Sequence, residues 1–195
     1  MLKEKLKDYN IILASGSPRR QQFFKDLNLD FEIRLKPVAE EYPESLTHFE
    51  ITDYLAQLKA LPFKEDLKIK DLLITSDTIV WHENQALGKP INEEDAFKMI
   101  KSMSGQTHDV ITSICFTSVN FQKTLNDVTK VTFNHFTDEE IWHYVKTFKP
   151  MDKAGAYGIQ DWIGLIGVTK LEGSYFNVMG MPVHLLYKTL LEIVN

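Results

Sequence analysis

The sequence predicts an α/β protein built on a mixed β-sheet. Three observations carry that prediction. Short apolar runs alternate along the chain with stretches of helical apolar spacing. The most apolar run, residues 71–81, lies mid-chain and reads as a central strand. Two longer alternating segments, 107–120 and 125–136, follow one another as a hairpin or its equivalent. With 195 residues, 44% of them hydrophobic, the chain is one ordinary domain or one domain with two lobes, and it needs no disulfide or structural metal to bury a core.

Taken in order, Ile11-Ile12-Leu13-Ala14 is a first strand that breaks at Ser15-Gly16-Ser17-Pro18. The helix after it, over 19–27, carries Phe23, Phe24 and Leu27 at helical spacing, with Ser17 as N-cap and Pro18 as first helical residue. Residues 31–38 alternate apolar with charged and predict a second strand, leading into an acidic loop at 39–43. An amphipathic helix is expected over 49–61, then the central strand, then a turn at 82–85 into Ala86-Leu87-Gly88-Lys89-Pro90. Asn92 followed by Glu93, Glu94 and Asp95 starts a helix to about Met103. After the paired strands, Thr137-Asp138-Glu139-Glu140 is a capping box opening a helix that Pro150 closes. Residues 153–180 hold six of the nine glycines and predict an irregular segment rich in close backbone approaches, and the chain ends in a helix from about Pro182.

The charge balance, 22 Lys+Arg against 27 Asp+Glu, argues against a protein that holds nucleic acid by coating phosphates with cations. No run approaches the eighteen or so apolar residues of a membrane span, and the first eight residues lack a signal-peptide apolar region. The single Cys115, in the apolar run 114–116, reads as a buried inert thiol. A soluble cytoplasmic protein is the expectation. The six histidines show no zinc spacing and no nucleophile elbow is present, which leaves no sign of covalent catalysis.

Two features point to chemistry. The turn Ser15-Gly16-Ser17-Pro18-Arg19-Arg20 offers helix N-terminal amides and two guanidinium groups, a combination suited to phosphate; the alternative is a capped helix whose arginines face solvent. Asp77, inside the apolar run 72–80, demands an ion-pair partner, hydrogen bonds or a metal, unless it only closes a turn at the strand's end. Lys59 and Lys89 are each, taken singly, ordinary solvated charges. Glu40 and Glu41 form an acidic turn that with Asp77 is able to supply hard oxygen ligands to Mg²⁺ or Mn²⁺. Phe133, Phe136, Trp142, Tyr144 and Phe148 read as core.

Six ordered motifs span nearly the whole chain: Leu13-Ala14-Ser15-Gly16-Ser17-Pro18-Arg19-Arg20, Leu55-Ala56-Gln57-Leu58-Lys59-Ala60, Ser76-Asp77-Thr78-Ile79-Val80, Leu87-Gly88-Lys89-Pro90, Met103-Ser104-Gly105-Gln106-Thr107-His108 and 152–160, which ends in Tyr157-Gly158-Ile159-Gln160. In these the chain closely resembles the Maf family of nucleoside triphosphate pyrophosphatases. The resemblance implies a single domain over 1–195 with the fold of the inosine triphosphatases, an elongated mixed sheet flanked by helices in two lobes with a cleft between them. It implies hydrolysis of a nucleoside triphosphate to monophosphate and pyrophosphate with a divalent cation, Mg²⁺ or Mn²⁺, in a homodimer with a house-cleaning role.

By the same resemblance Asp77 corresponds to the proton acceptor for the attacking water, Ser15, Arg20, Lys59 and Lys89 to phosphate-contacting residues, and Glu40 with Asp77 to the metal carboxylates. Arg19, Thr78 and Gln160 correspond to positions that separate the family's branches. The Arg-Arg pair and the Tyr-Gly-Ile-Gln run look like the branch acting on dTTP and UTP, and Gln160 is able to read the O4 and N3–H edge of thymine or uracil. Two competing expectations are a nucleotide-sensing regulator in division control, which binds without turnover, and a pyrophosphatase specific for 7-methyl-GTP.

Overall fold

The computed structural model describes residues 1–194. A short helix, α1 (Leu2–Lys5), precedes strand β1 (Asn10–Leu13). Helix α2 (Pro18–Asp26) follows the small-residue loop, with Pro18 in the first turn and the Ser17 hydroxyl accepting the Arg20 N–H. Such a cap contributes about 1 kcal/mol. Strand β2 (Glu32–Ile33) is far shorter than the expected 31–38. The chain leaves the sheet because Lys36 is drawn to the turn after the next helix: it donates to the Pro62 carbonyl at 2.7 Å, pairs with Asp66 and lies over the Phe63 ring.

Helix α3 (Phe49–Ala60) runs into a 3₁₀ turn (Leu61–Asp66), then strand β3 (Asp71–His82), as the apolar run predicted. What read as a turn into 86–90 is a hairpin: Glu83 and Asn84 take the left-handed region and strand β4 (Gln85–Leu87) returns antiparallel on β3. Helix α4 (Glu93–Met103) is capped by Asn92, and strands β5 (Thr107–Thr117) and β6 (Gln122–Phe133) are neighbours joined by a tight turn, with both C-terminal ends three residues short of expectation. Helix α5 (Asp138–Phe148) opens with the predicted capping box and ends at Lys149 in a left-handed conformation.

The glycine-rich segment is more ordered than its composition suggested. It forms a 3₁₀ turn (Ala154–Ala156), helix α6 (Trp162–Gly167), strand β7 (Val168–Glu172) pairing antiparallel with β6, and helix α7 (Tyr175–Val178) before the final helix α8 (Val183–Ile193). Its glycines are used for close approach. A Cβ at Gly167 would lie 2.1 Å from the Phe136 ring, and one at Gly164 would lie 2.0 Å from the Ile159 carbonyl oxygen. These are the close backbone approaches that the glycine content predicted, made within regular elements where an irregular segment was expected.

Among the described residues seven strands form one mixed sheet in the order β2-β1-β3-β5-β6-β7, with β4 on β3; β1 is parallel to both β2 and β3. The chain divides into two compact units. The first comprises 1–77, 112–127 and 180–195, the second 78–111 and 128–179. In the first, Ile12, Leu73, Ala60 and Phe63 close a small core under α3. The second has a larger core that includes Phe133, Phe136, Ile141 and Tyr144. Burying each large aliphatic or phenylalanine side chain among these contributes about 1.5–3 kcal/mol, so each unit has its own source of stability. Of the aromatic set read as core, Phe133, Phe136 and Tyr144 are buried and Trp142 is half-buried, but Phe148, at the end of α5, is exposed and stacks on Tyr144. Cys115 is buried, as expected. No helix among the described residues is long and apolar enough to cross a membrane.

Candidate active site

In the first unit a single hydrogen bond sets the arrangement. The Thr75 hydroxyl donates to the Ala56 carbonyl at 2.6 Å, in a buried position, and so fixes α3 against β3. Lys59 lies three residues beyond Ala56, on the same side of the helix, and Asp77 lies two beyond Thr75, on the same face of the strand. The consequence is a contact: Lys59 Nζ stands 2.6 Å from Asp77 Oδ1. The ammonium also reaches Glu40 Oε1 at 3.2 Å, so two carboxylates meet at one cation. Asp77 is 8% exposed on its side chain, Lys59 18% and Glu40 45%, which grades the cluster from a dry end to a wet one.

Arg20 closes the cluster from the helix side. Its side chain turns inward, Nε donating to the Gly180 carbonyl at 2.8 Å and Nη1 to the Ser76 carbonyl at 2.9 Å. Two backbone oxygens thus fix the plane of the guanidinium beside Asp77, so Arg20 is not the solvent-facing charge of the alternative reading. Burial lowers the pKa of Arg20 and Asp77 opposes that, yet an arginine stays charged in any protein. Ser15 is buried and its hydroxyl accepts the Ser17 N–H, while its carbonyl accepts from Gln21, so the loop before α2 is held by its own side chains. Arg19 is half-buried in the first turn.

The Asp77 carboxyl is pushed above the ordinary carboxylate range. Burial is the largest cause; Lys59 and Arg20 pull it back down, and Glu40 adds a smaller upward push. A buried carboxylate with raised proton affinity is able to accept a proton from water. Among the described residues no three His, Cys, Asp or Glu side chains gather as a complete metal cage. Asp77 and Glu40 are nonetheless two hard-oxygen donors converging on one point.

The second unit holds the remaining positions. Thr78 and Val80 continue β3, and Lys89 is exposed just after β4. The Gly88 carbonyl accepts the Gly155 N–H at 3.0 Å, and Gly155, at φ +65°, lies against Val80, where a Cβ would come within 2.7 Å of Val80 Cγ2. These contacts bring the Lys89 segment to the base of the loop that ends in Gln160. His108 joins them from β5. It is buried, its Nε2 is 2.8 Å from the Tyr157 hydroxyl, and Nδ1 has no hydrogen-bond partner among the described residues. Burial, reinforced by His82, lowers its pKa to about 3, so the ring is neutral.

The structure thus gathers Arg20, Glu40, Lys59 and Asp77 in one unit, with Ser15 and Arg19 on the adjoining turn, and Lys89 with the Gln160 loop in the other. Sequence reasoning missed the buried polar pairs in the second unit, His108 with Tyr157 and Tyr144 with Asp161. A Tyr on an apolar helix face and a lone His carry no spacing signal.

Comparison with known proteins sharpens this. Residues 10–193 match the family model described as Maf-like protein. A protein of Flavobacterium johnsoniae named dTTP/UTP pyrophosphatase is 63% identical over 194 residues, covering all of both chains. One of the same name from Christiangramia forsetii is 58% identical, again over the whole of both, and one from Phocaeicola vulgatus is 49% identical over 97% of this chain and 99% of that protein. Among solved structures, the Staphylococcus aureus Ham1 protein superposes with a TM-score of 0.53 at 16% identity, over 94% of this chain and 99% of that one, which establishes a shared fold.

Proposed function

The chain belongs to the Maf family, and from that premise we propose that it hydrolyses dTTP and UTP to the monophosphate and pyrophosphate by attack of water on the α-phosphorus. The observation that carries this reading is the meeting of Asp77 and Glu40 at Lys59, with Arg20 fixed alongside. In the reaction, Asp77 takes a proton from water, the water oxygen bonds to the α-phosphorus, and the bond from that phosphorus to the α–β bridging oxygen breaks. Pyrophosphate leaves with the bonding electrons. Such chemistry is mostly positioning and charge neutralisation. Ser15, Arg20, Lys59 and Lys89, with the first amides of α2, serve as the phosphate grip.

The donor set fits Mg²⁺ or Mn²⁺. A hard cation of this kind commonly takes one or two carboxylates and completes its shell with phosphate oxygens and water, so Asp77 and Glu40 suffice without a third protein ligand. When bound, it supplies charge neutralisation on the triphosphate oxygens. Gln160, with donor and acceptor on one amide, reads the O4 and N3–H edge that thymine and uracil share and cytosine lacks; Arg19 and Thr78 complete the specificity positions. Modified uracil bases that keep this edge fall in the same substrate class.

The family match runs across both units, which supports their acting as one functional domain. A homodimer, a cytoplasmic setting with its one cysteine reduced, and removal of unwanted nucleotides before polymerisation complete the proposal. The decisive assay incubates the protein with Mg²⁺ or Mn²⁺ and dTTP, UTP, CTP, GTP or 7-methyl-GTP in ¹⁸O-labelled water. Pyrophosphate without orthophosphate, fastest from dTTP and UTP, with the label in the monophosphate, is the expected result. Binding without turnover, label in pyrophosphate, or preference for 7-methyl-GTP each contradicts it.

A further inference from the structure

Gln160 sits in the four-residue turn 158–161, closed by the Asp161 N–H donating to the Gly158 carbonyl at 3.0 Å. One side chain grips both ends of that turn. The hydroxyl of Tyr144, on α5, accepts the Gly158 N–H at 3.0 Å and donates to Asp161 Oδ2 at 2.8 Å. Tyr144 is fully buried, its ring set in the core of the second unit, so the hydroxyl is a fixed point. Burial first, and then the hydrogen bond to Asp161, raise the phenol's pKa, and it remains a donor throughout the working pH range.

The Asp161 carboxylate covers Gly158 so closely that a Cβ there would lie 2.5 Å from Oδ2, and the Asp161 carbonyl accepts the Gly164 and Leu165 N–H groups that start α6. On the near side of Gln160, the Ile159 carbonyl rests against Gly164. The backbone on both sides of Gln160 is therefore anchored, and the side-chain anchors are Tyr144 and Asp161.

We propose that Tyr144 and Asp161 are positioning residues for base recognition: the Gly158–Tyr144–Asp161 hydrogen-bond chain fixes the turn so that the Gln160 amide is presented to the pyrimidine in one orientation. This rests on Gln160 as the base reader. An amide on a loosened turn rotates and offers its donor and acceptor in either order, which erases the distinction between the uracil and cytosine edges. The geometry serves selectivity, leaving phosphate binding to Arg20, Lys59 and Lys89.

The test is the ratio of kcat/KM for UTP over CTP in Tyr144→Phe, Asp161→Ala, Asp161→Asn and Gln160→Ala. Tyr144→Phe and Asp161→Ala are expected to lower the ratio about tenfold through KM for UTP, while inhibition by added pyrophosphate stays within about twofold. Asp161→Asn keeps an oxygen to accept from the Tyr144 hydroxyl and should restore most of the ratio; failure to do so overturns the hydrogen-bond chain as the cause. Should the buried Tyr144 site not tolerate substitution, the half-buried Asp161 pair of variants decides alone. A collapse of the ratio in Gln160→Ala with native values in Tyr144→Phe and Asp161→Ala overturns the inference. A native ratio in Gln160→Ala with collapse in the other two overturns Gln160 as the reader instead, and native ratios in all overturn both.

Discussion

The charged cluster of the first unit and the Gln160 loop of the second are built differently. In the first, two cations and two carboxylates crowd around the middle of one strand, with Lys59 touching both Asp77 and Glu40. In the second, the loop ending in Gln160 rests chiefly on backbone amides, the Tyr144 and Tyr157 hydroxyls and a histidine that burial keeps uncharged, with the Asp161 carboxylate tied to the Tyr144 hydroxyl. The difference matches two tasks. A triphosphate is the same whatever base it carries, so charge grips it strongly and without discrimination. A base edge differs from its competitor only in the order of donor and acceptor, which calls for neutral groups held still.

The largest effect that could break this comparison is on turnover. Asp77→Asn is expected to lower dTTP turnover at least about a hundredfold with little change in melting temperature. Near-normal hydrolysis by that variant removes Asp77 from the chemistry. Next, Lys59→Met takes away the strongest influence holding the Asp77 pKa down, so that pKa rises further. With Asp77 as the proposed base, activity is lost as pH falls through its pKa, so the acidic limb of the kcat/KM profile should move to higher pH, with a fall of about tenfold or more at neutral pH. An unmoved limb separates Asp77 from the titration.

On the neutral side, Gln160→Ala should cut the preference for UTP over CTP about tenfold while leaving affinity for pyrophosphate nearly unchanged. Equal losses on both nucleotides count against it. The smallest effect concerns stability. His108 has a folded pKa of about 3 against the ordinary 6.5, so between those values the unfolded chain binds more protons than the folded one. Its contribution is fully present above pH 6.5 and is lost as pH falls toward 3, at most about 1.4 kcal/mol per unit. His108→Gln should flatten the decline in melting temperature between pH 6.5 and pH 4. An identical decline in both proteins assigns it elsewhere.

How far the sequence shows all this follows the same division. Local rules placed what depends on local chemistry: Ser17 and Pro18 at the head of α2, Asn92 before α4, the Thr137 capping box, and Asp77 as an acid in an apolar strand that needs partners. Those partners, Lys59 and Glu40, lie 18 and 37 residues away along the sequence; hard-ligand chemistry suggested Glu40, and only the motif resemblance connected Lys59. Strand β2 stops early because Lys36 is held by the turn after α3, a contact that no alternation pattern encodes. Strand β7 and helix α6 were hidden by glycines whose purpose is to let Phe136 and the Ile159 carbonyl approach. Tyr144 read as core, and its ring is core; the role of its hydroxyl appears only once α5 packs beside 158–161.

The most direct test of the division of labour is kcat/KM for UTP and CTP measured side by side in Asp77→Asn and Gln160→Ala. Both values should fall together in Asp77→Asn, preserving their ratio, whereas in Gln160→Ala the UTP value alone should drop. A ratio that collapses in Asp77→Asn, or survives in Gln160→Ala, would contradict the assignment of chemistry to the Asp77 cluster and selection to the Gln160 loop.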